Sequence, residues 1–174
     1  YWCPHYGHDP HSVIQHPYNP ERLYQQNHCG IYRIDLPEKK WERIGDNMPA
    51  DIGDMGFPIA LHPDDPNTLW VFPIDGTDAW SKVCPDGQPA IYCSKDSGNS
   101  WFRQDIGLPI RNAWFTVLRK SLNTDSMNQT GVYFGTTSGS LWMSDNEGNS
   151  WRQIAVHLPK ILAIETGKIL KKNN

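Results

Sequence analysis

The sequence predicts an all-β fold built from repeated four-stranded units. Three segments of the 174-residue chain align without a gap, namely residues 31–41, 91–101 and 141–151. Each begins with an apolar and an aromatic residue, continues through a polar turn, and ends at a Trp in the same register. The segments recur after 60 and then 50 residues, which is the size of a four-stranded propeller blade and not of a helical repeat. We therefore predict a β-propeller portion of about three antiparallel blades plus one strand, with no helix of any length.

Turn residues place the strands within each unit. A His-Pro step and a Pro/Asn/Asp cluster follow the first strand of units one and two, and such clusters between short β-rich runs are typical of hairpins. Unit one has predicted strands at 12–16, 22–26, 30–35 and 41–44. Unit two has them at 57–62, 68–74, 90–95 and 101–104, and unit three at 114–119, 131–136, 140–144 and 151–155. The predicted blades occupy 1–50, 51–110 and 111–160, and 161–174 holds the inner strand of a further blade and a tail.

A short motif inside the repeat adds a family resemblance. Residues 94–101 match the pattern Ser-x-Asp-x-Gly-x-Ser/Thr-Trp, residues 144–151 repeat it with Asn146 in place of the Asp, and residues 34–41 keep only the Trp. On these motifs the chain resembles the Asp-box (BNR-repeat) β-propellers, which include sialidases, xyloglucan-cleaving glycosidases and sortilin-type receptors. It is most similar to bacterial sialidase-like repeat proteins of the glycosyl hydrolase type, through residues 27–33, 56–60 and 131–135.

The boxes are expected to be structural and not catalytic. In a tight hairpin, an Asp side chain accepts backbone N–H bonds, a glycine supplies a positive φ, and the Trp packs between neighbouring sheets. The resemblance likewise implies that the boxes lie away from the active face. The predicted structural residues are Ser94, Asp96, Gly98, Trp101, Ser144, Asn146, Gly148 and Trp151.

Blade topology then locates the face that could hold a ligand. The turns between second and third strands, and the connections between blades, fall on the side opposite the boxes, where propellers usually bind ligands around the channel. That side collects residues 7–11, 26–28, 50–57, 75–89, 110–114 and 137–139. The candidate ligand-binding residues are His8, His11, His28, Asp75, Arg111 and Trp114, and the candidate catalytic residues are Asp9 and Asp54.

Each candidate also has a structural alternative. His8 and His11 could bond only to loop carbonyls, and Asp9 and Asp54 could only form turns. Arg111 and Trp114 could pack between blades. The loop 75–89, which carries Asp75, Asp78 and Trp80, could be a sugar platform, a lid or a plain insertion.

The sequence argues against sialidase activity in this chain alone. Sialidases need an arginine cluster for the substrate carboxylate, and the Arg-Ile-Pro motif of that family is missing, with residues 32–35 the nearest approach. Of the arginines, Arg111 alone is predicted to lie on the candidate face. A different glycosidase could use two carboxylates about 5–10 Å apart, and Asp9 with Asp54 is the predicted pair. The alternatives are a glycan- or protein-binding scaffold and, by fold analogy, an assembly factor like those of photosystems.

Composition excludes some partners. The 16 basic and 19 acidic residues give a net charge of −3, so a highly basic nucleic-acid binder is excluded, and no apolar run is long enough to predict a membrane segment. The opening residues Cys3, His5, His8 and His11 could bind metal, but their spacing matches no common zinc pattern, so no metal or cofactor is predicted. Cys84 and Cys93 could bridge a hairpin, although free thiols are expected for the four cysteines. Localisation is left open.

The repeat count leads to an expectation about assembly. Propellers close with about 4–8 blades, because closure removes exposed sheet edges. Three blades cannot close, so we expect either a missing N-terminal half or a homodimer that forms a six-bladed ring. The predicted partners are therefore a carbohydrate and a second copy or the missing half.

Overall fold

The computed structural model describes residues 9–76 and 82–168, and it contains three antiparallel four-stranded sheets with two short 3₁₀ turns. The strands of blade 1 are β1 (Pro10–His16), β2 (Asn19–Asn27), β3 (Gly30–Asp35) and β4 (Glu42–Arg43). Those of blade 2 are β5 (Gly56–Leu61), β6 (Leu69–Pro73), β7 (Ile91–Ser94) and β8 (Phe102–Gln104). Those of blade 3 are β9 (Val117–Thr124), β10 (Val132–Thr136), β11 (Leu141–Ser144) and β12 (Arg152–Ala155). Each sheet pairs its strands in chain order, as the repeat predicted.

Several strand boundaries differ from the sequence prediction, and two of these differences change how a blade begins or ends. The inner strand of blade 3 was expected at 114–119 but runs from Val117 to Thr124, because residues 110–116 form the connection from blade 2. The outer strand of blade 1 was expected at 41–44 but has only two residues, and a 3₁₀ turn at Ile44–Asn47 follows it. A second 3₁₀ turn lies at Pro85–Gly87. Among the described residues, no helix is long and apolar enough to cross a membrane.

The core lies between the blades and not within them. In β6, Leu69 and Val71 face a cluster shared with blade 1, whereas Trp70 and Phe72 face a cluster shared with blade 3. Successive side chains of a strand point to opposite faces, so a strand with a blade on each side is buried along its whole length. Strands β5, β6 and β7 of blade 2 are accordingly buried at every residue.

The Trp of each box packs on the outer part of the preceding blade. Trp101 donates from Nε1 to the Ile44 carbonyl at 3.2 Å, and a Cβ on Gly98 would lie 2.5 Å from Ile44 Cδ1. Trp151 likewise donates to the Gln104 carbonyl at 3.2 Å. Both Trp side chains are buried, so the boxes connect blade 2 to blade 1 and blade 3 to blade 2.

The two box turns are closed by side-chain hydrogen bonds. Ser94 Oγ donates to Asp96 Oδ1 at 2.8 Å and accepts from the Gly98 N–H at 2.7 Å. Ser144 makes the same pair of bonds with Asn146 and Gly148, both at 2.8 Å. The glycines have φ values of +93° and +84°, which side chains rarely adopt. These contacts explain why the motif keeps Ser and Gly at fixed spacing.

The segment after β12 returns to the inner strand of its own blade. Ala163 forms a parallel bridge with Lys120, and the Ile164 N–H donates to the Lys120 carbonyl at 2.9 Å. Inner strands of successive blades run parallel around a propeller, so this placement suits the first strand of a further blade. The prediction that 161–174 contains such a strand stays a prediction.

The cysteines differ in part from the expectation of free thiols. Cys29 is disulfide-bonded, whereas Cys84 and Cys93 are buried free thiols, so no bridge joins those two. Burial raises the pKa of Cys93 to about 12 and also raises the pKa of Cys84. Neither thiol is therefore ionised near neutral pH.

Candidate functional site

The candidate site lies where the inner strands of the three blades begin. Strands β1, β5 and β9 lie side by side, and their first residues meet the turn between β2 and β3. We call this region the channel mouth and define it by five residues that contact one another in a chain of pairs: Asp9, His11, His28, Phe57 and Arg119. The blade topology had placed all of these except Arg119 on this face.

His11 is the buried centre of the channel mouth. It is the second residue of β1, and its Nδ1 lies 2.7 Å from the Gly56 carbonyl at the start of β5. Its ring contacts His28 edge to face, with centroids 4.2 Å apart, and Phe57 at 4.7 Å. Burial lowers the pKa of His11, and the electrostatic effects of His28 and Arg119 act in the same direction, whereas the hydrogen bond to Gly56 and the proximity of Asp9 oppose them. The ring is therefore neutral near neutral pH.

Asp9 and His28 lie on the solvent side of His11. Asp9 Oδ2 is 3.3 Å from His28 Nδ1 and 3.7 Å from His11 Nε2. The Asp9 side chain is 61% exposed and that of His28 is 38% exposed, whereas the His11 side chain is fully buried. A molecule at the channel mouth could thus reach Asp9 and His28 directly.

Phe57 and Arg119 form the other wall, and sequence reasoning did not single them out. Phe57 is the second residue of β5, and the Arg119 guanidinium carbon lies 5.4 Å from the centre of its ring. The expectation that Arg111 alone of the arginines lies on this face is wrong, because Arg119 was the last residue of the predicted strand 114–119 but is the third residue of β9, next to Phe57. The basic pair Arg119-Lys120 near the start of an inner strand was the signal in the sequence.

Asp54 has a different environment from Asp9. Arg43 donates to both of its carboxylate oxygens, from Nε and Nη2, at 3.0 Å each. The Asp54 side chain is only 14% exposed, and its backbone carbonyl accepts from Gln26 at 2.9 Å. This bidentate pair gives Asp54 a role in holding the loop before β5 against blade 1. The catalytic pairing of Asp9 with Asp54 stays a prediction.

The remaining candidates lie on the connections around blade 2. Arg111 is exposed in a bend, and Trp114 is 58% exposed with its ring against Gly87, where an added Cβ would lie 2.9 Å from the indole. The Asp75 N–H donates to the Val83 carbonyl at 2.7 Å, and Asp75 is half-buried. His8, Asp78 and Trp80 lie outside the described residues, as do Cys3 and His5 of the proposed metal-binding opening.

A groove runs along the inner strands and shares Arg119 with the channel mouth. Its volume is about 330 Å³, and strands β1, β5 and β9 and the segment at 164–165 line it. The lining mixes apolar side chains such as Ile14, Ile59 and Leu122 with the polar Lys120 and Glu165. Such a surface can meet both the hydroxyl groups and the C–H faces of a sugar.

Comparisons with known proteins bear on the fold. No protein-family model matches this chain, and no curated protein sequence does. Among solved structures, the GH74 xyloglucanase from Xanthomonas campestris is similar over 84% of this chain, with a TM-score of 0.63 and 22% identity. The GH74 enzyme of Niastella koreensis is similar over 88%, with a TM-score of 0.65 and 23% identity.

A second group of similar structures consists of YCF48 proteins. YCF48 from Cyanidioschyzon merolae is similar over 84% of this chain, with a TM-score of 0.55 and 15% identity. A structure of YCF48 bound to D1 peptide is similar over 85%, with a TM-score of 0.53 and 12% identity. The chain spans 20% and 22% of the two GH74 chains and 37% and 44% of the two YCF48 chains. These are β-propeller proteins, and at such identities the likeness shows the fold alone.

Proposed function

We propose that this chain is part of a carbohydrate-directed Asp-box propeller of the glycosyl hydrolase type, and that the groove along its inner strands binds a glycan. The observation that carries the proposal is the groove itself, which three blades build together along their inner strands and which shares Arg119 with the channel mouth. Its mixed apolar and polar lining suits a sugar chain, and the fold is that of GH74 enzymes. The sialidase-like assignment rests on the Asp-box motifs.

Trp114 supplies a second feature suited to sugars. The indole of Trp114 packs so closely against Gly87 that a side chain at position 87 would collide with it. More than half of the Trp114 surface is nevertheless exposed. A rigid exposed aromatic ring offers a large contact area to the apolar face of a pyranose at low entropic cost. Trp114 does not line the groove, so we propose it as a separate aromatic contact for the same glycan.

For this chain we propose glycan binding and not hydrolysis as the primary function. A glycosidase needs two carboxyl groups facing the scissile bond, and only Asp9 of the predicted pair is exposed. Asp54 is held by Arg43, so it would have to leave that ion pair in order to act on a sugar.

The test combines a glycan-binding screen with hydrolysis of fluorogenic glycosides, including a sialoside and a xyloglucan oligosaccharide. We expect glycan binding that weakens by about 10-fold or more in Trp114→Ala, since an anchoring aromatic contact contributes about 1.5 kcal/mol or more. Phe102→Ala is the matched control, because Phe102 is also 58% exposed but lies on the outer strand β8. Turnover lost in both Asp9→Asn and Asp54→Asn, in variants that remain folded, would favour a glycosidase. Absence of any glycan ligand would contradict the proposal.

The second candidate function is a scaffold that binds a protein segment. The observation that favours it is the exposed apolar pair Ile110 and Trp114, which are 80% and 58% exposed. The similarity to YCF48, whose structure was determined with a D1 peptide, points the same way. A peptide that competes with the glycan for Trp114 would show that one surface serves both. Self-association into a closed ring stays a hypothesis for the partner that completes the propeller.

A further inference from the structure

Three metal-binding side chains converge at the channel mouth from two separate segments of the chain. Asp9 lies immediately before β1, and His11 is the second residue of that strand. His28 lies in the turn between β2 and β3. One ligand atom from each lies within 4.8 Å of the other two. A tetrahedral zinc site with bonds of about 2.0–2.1 Å separates its ligand atoms by about 3.3 Å. The 3.3 Å and 3.7 Å separations from Asp9 Oδ2 to the two histidines are close to that spacing.

The hydrogen bond of His11 determines which ring nitrogen is free. Nδ1 lies 2.7 Å from the Gly56 carbonyl, which can only accept, so a neutral ring carries its proton on Nδ1. The lone pair is then on Nε2, the atom that points toward Asp9 and His28. Metal-binding histidines are held in the same way, since the nitrogen that is not bound to the metal donates to a carbonyl or carboxylate.

Nε2 of His11 lacks a hydrogen-bond partner although it is buried. It is one of two buried side-chain polar atoms without a partner among the described residues, and the His11 side chain is fully buried. A buried polar atom with no partner costs about 1–3 kcal/mol. Here the unpartnered Nε2 also lies 3.7 Å from Asp9 Oδ2, beyond hydrogen-bond distance. A cation bound to both atoms would give the buried nitrogen a partner and neutralise the carboxylate.

Other buried or partly buried histidines show that this arrangement is unusual in the molecule. His16 accepts from the Tyr18 N–H at Nδ1 and lies 2.9 Å from the His62 carbonyl through Nε2. His62 accepts from the backbone N–H groups of Asp64 and Asp65 at Nδ1, and its Nε2 lies 3.0 Å from the Thr130 hydroxyl. Both rings therefore have both nitrogens satisfied, whereas His11 does not.

The geometry points to a divalent transition-metal site formed by an Asp9 carboxylate oxygen, His11 Nε2 and His28 Nδ1. Two imidazole nitrogens and one carboxylate oxygen suit zinc and its first-row neighbours, and three protein ligands leave a coordination position open. The open side faces solvent, because Asp9 and His28 are exposed and His11 is not. The ion would join the start of β1 to the turn between β2 and β3. This site does not depend on the proposed carbohydrate function.

The test uses the full chain after treatment with a chelator. Buffers contain no thiol reductant, because thiols bind zinc and would reduce the disulfide at Cys29, next to His28. Isothermal titration with Zn²⁺ is expected to show one ion per chain, and Co²⁺ is expected to give a visible absorption band at the same stoichiometry. The midpoint of thermal unfolding is expected to rise with Zn²⁺, since binding to the folded state alone stabilises it.

Variants distinguish this site from adventitious binding. Asp9→Asn and His28→Ala alter exposed side chains, so the fold is expected to persist, and each is expected to weaken Zn²⁺ binding by about 10-fold or more. His11→Ala, checked by circular dichroism, is expected to do the same. His157→Ala is the matched control, because His157 is exposed and lies beyond β12. No stoichiometric Zn²⁺ binding to the unmutated chain, or undiminished affinity in both Asp9→Asn and His28→Ala, would overturn the proposal.

Discussion

At the box end of the blades, formed by the turns at residues 94–101 and 144–151, polar side chains bond to their own turns, whereas at the channel mouth a buried nitrogen without a hydrogen-bond partner lies near an exposed carboxylate. Asp96 accepts from the backbone N–H and the hydroxyl of Ser100, at 2.8 Å and 2.6 Å. His11 Nε2 has no partner, and Asp9 is mostly exposed. Polar groups that are satisfied within the fold stabilise it, whereas polar groups left unsatisfied are available to a ligand.

The two boxes show how little the box end depends on charge. In blade 3, Asn146 Oδ1 accepts from the Ser150 N–H at 2.9 Å, as Asp96 does from Ser100. The last bond reverses direction, because Asn146 Nδ2 donates to Ser150 Oγ at 2.9 Å whereas Ser100 Oγ donates to Asp96. A serine hydroxyl can donate or accept, so the turn tolerates either residue.

The largest expected effect is at the box end. Trp101→Ala should lower the free energy of unfolding by about 3–5 kcal/mol, because it leaves a cavity between blades 1 and 2 and removes the bond to Ile44. Urea denaturation measures this, and Phe102→Ala, at an exposed neighbour, should change it by about 0.5 kcal/mol or less. The Zn²⁺ affinity of folded Trp101→Ala should equal that of the unmutated chain. Weakened Zn²⁺ binding would show that the two ends are coupled.

A smaller loss of stability is expected for substitution of Asp54. This variant tests whether every acidic residue on the side of the channel mouth is available to a ligand. Asp54→Asn should lower the free energy of unfolding by about 1.5–3 kcal/mol, because it weakens two charge-assisted bonds from a partly buried Arg43. Asp9→Asn, which changes a mostly exposed carboxylate, is the comparison and should cost less. Equal stability of Asp54→Asn and the unmutated chain would contradict the structural role of the ion pair.

The smallest expected effect is a pH dependence of the stability of the fold, which arises from the Asp96 box and not from the Asn146 box. Burial alone would raise the pKa of Asp96, but the hydrogen bonds from Ser100, Ser94 and Asn99 together lower it below its usual value. A carboxyl with a lowered pKa in the folded state stabilises the fold above its unfolded pKa of about 3.9, and this contribution disappears as the pH falls through the folded value. Asn146 has no such dependence.

Urea midpoints at neutral and acidic pH measure that difference. The stability gap between the unmutated chain and Asp96→Asn should be greatest at neutral pH and should narrow below about pH 4. Asp65 and Asp125, whose pKa values hydrogen bonds also lower, titrate in both proteins and cancel in the gap. A gap that does not change with pH would indicate that Asp96 stabilises the turn only through its shape.

Much of the fold could be predicted from short-range patterns. The repeat of Trp and turn residues predicted three four-stranded blades, and the topology of a blade predicted that Asp9, His11 and His28 lie on one face. The inner strand of blade 3 was misplaced, because the apolar residues of 110–116 extend the pattern beyond the strand. Arg119 was missed for that reason.

The sequence by itself determined the blades, because strand period, turn chemistry and box spacing act between residues near one another in the chain. Only the tertiary structure decided which polar groups are satisfied. Arg43 reaches Asp54, Gly56 orients His11, and His28 approaches Asp9, and each of these pairs joins separate strands or turns. Such pairings depend on how the sheets stack, so no local pattern records them. They leave Nε2 of His11 buried without a hydrogen-bond partner, and this nitrogen is the main observation behind the proposed metal site.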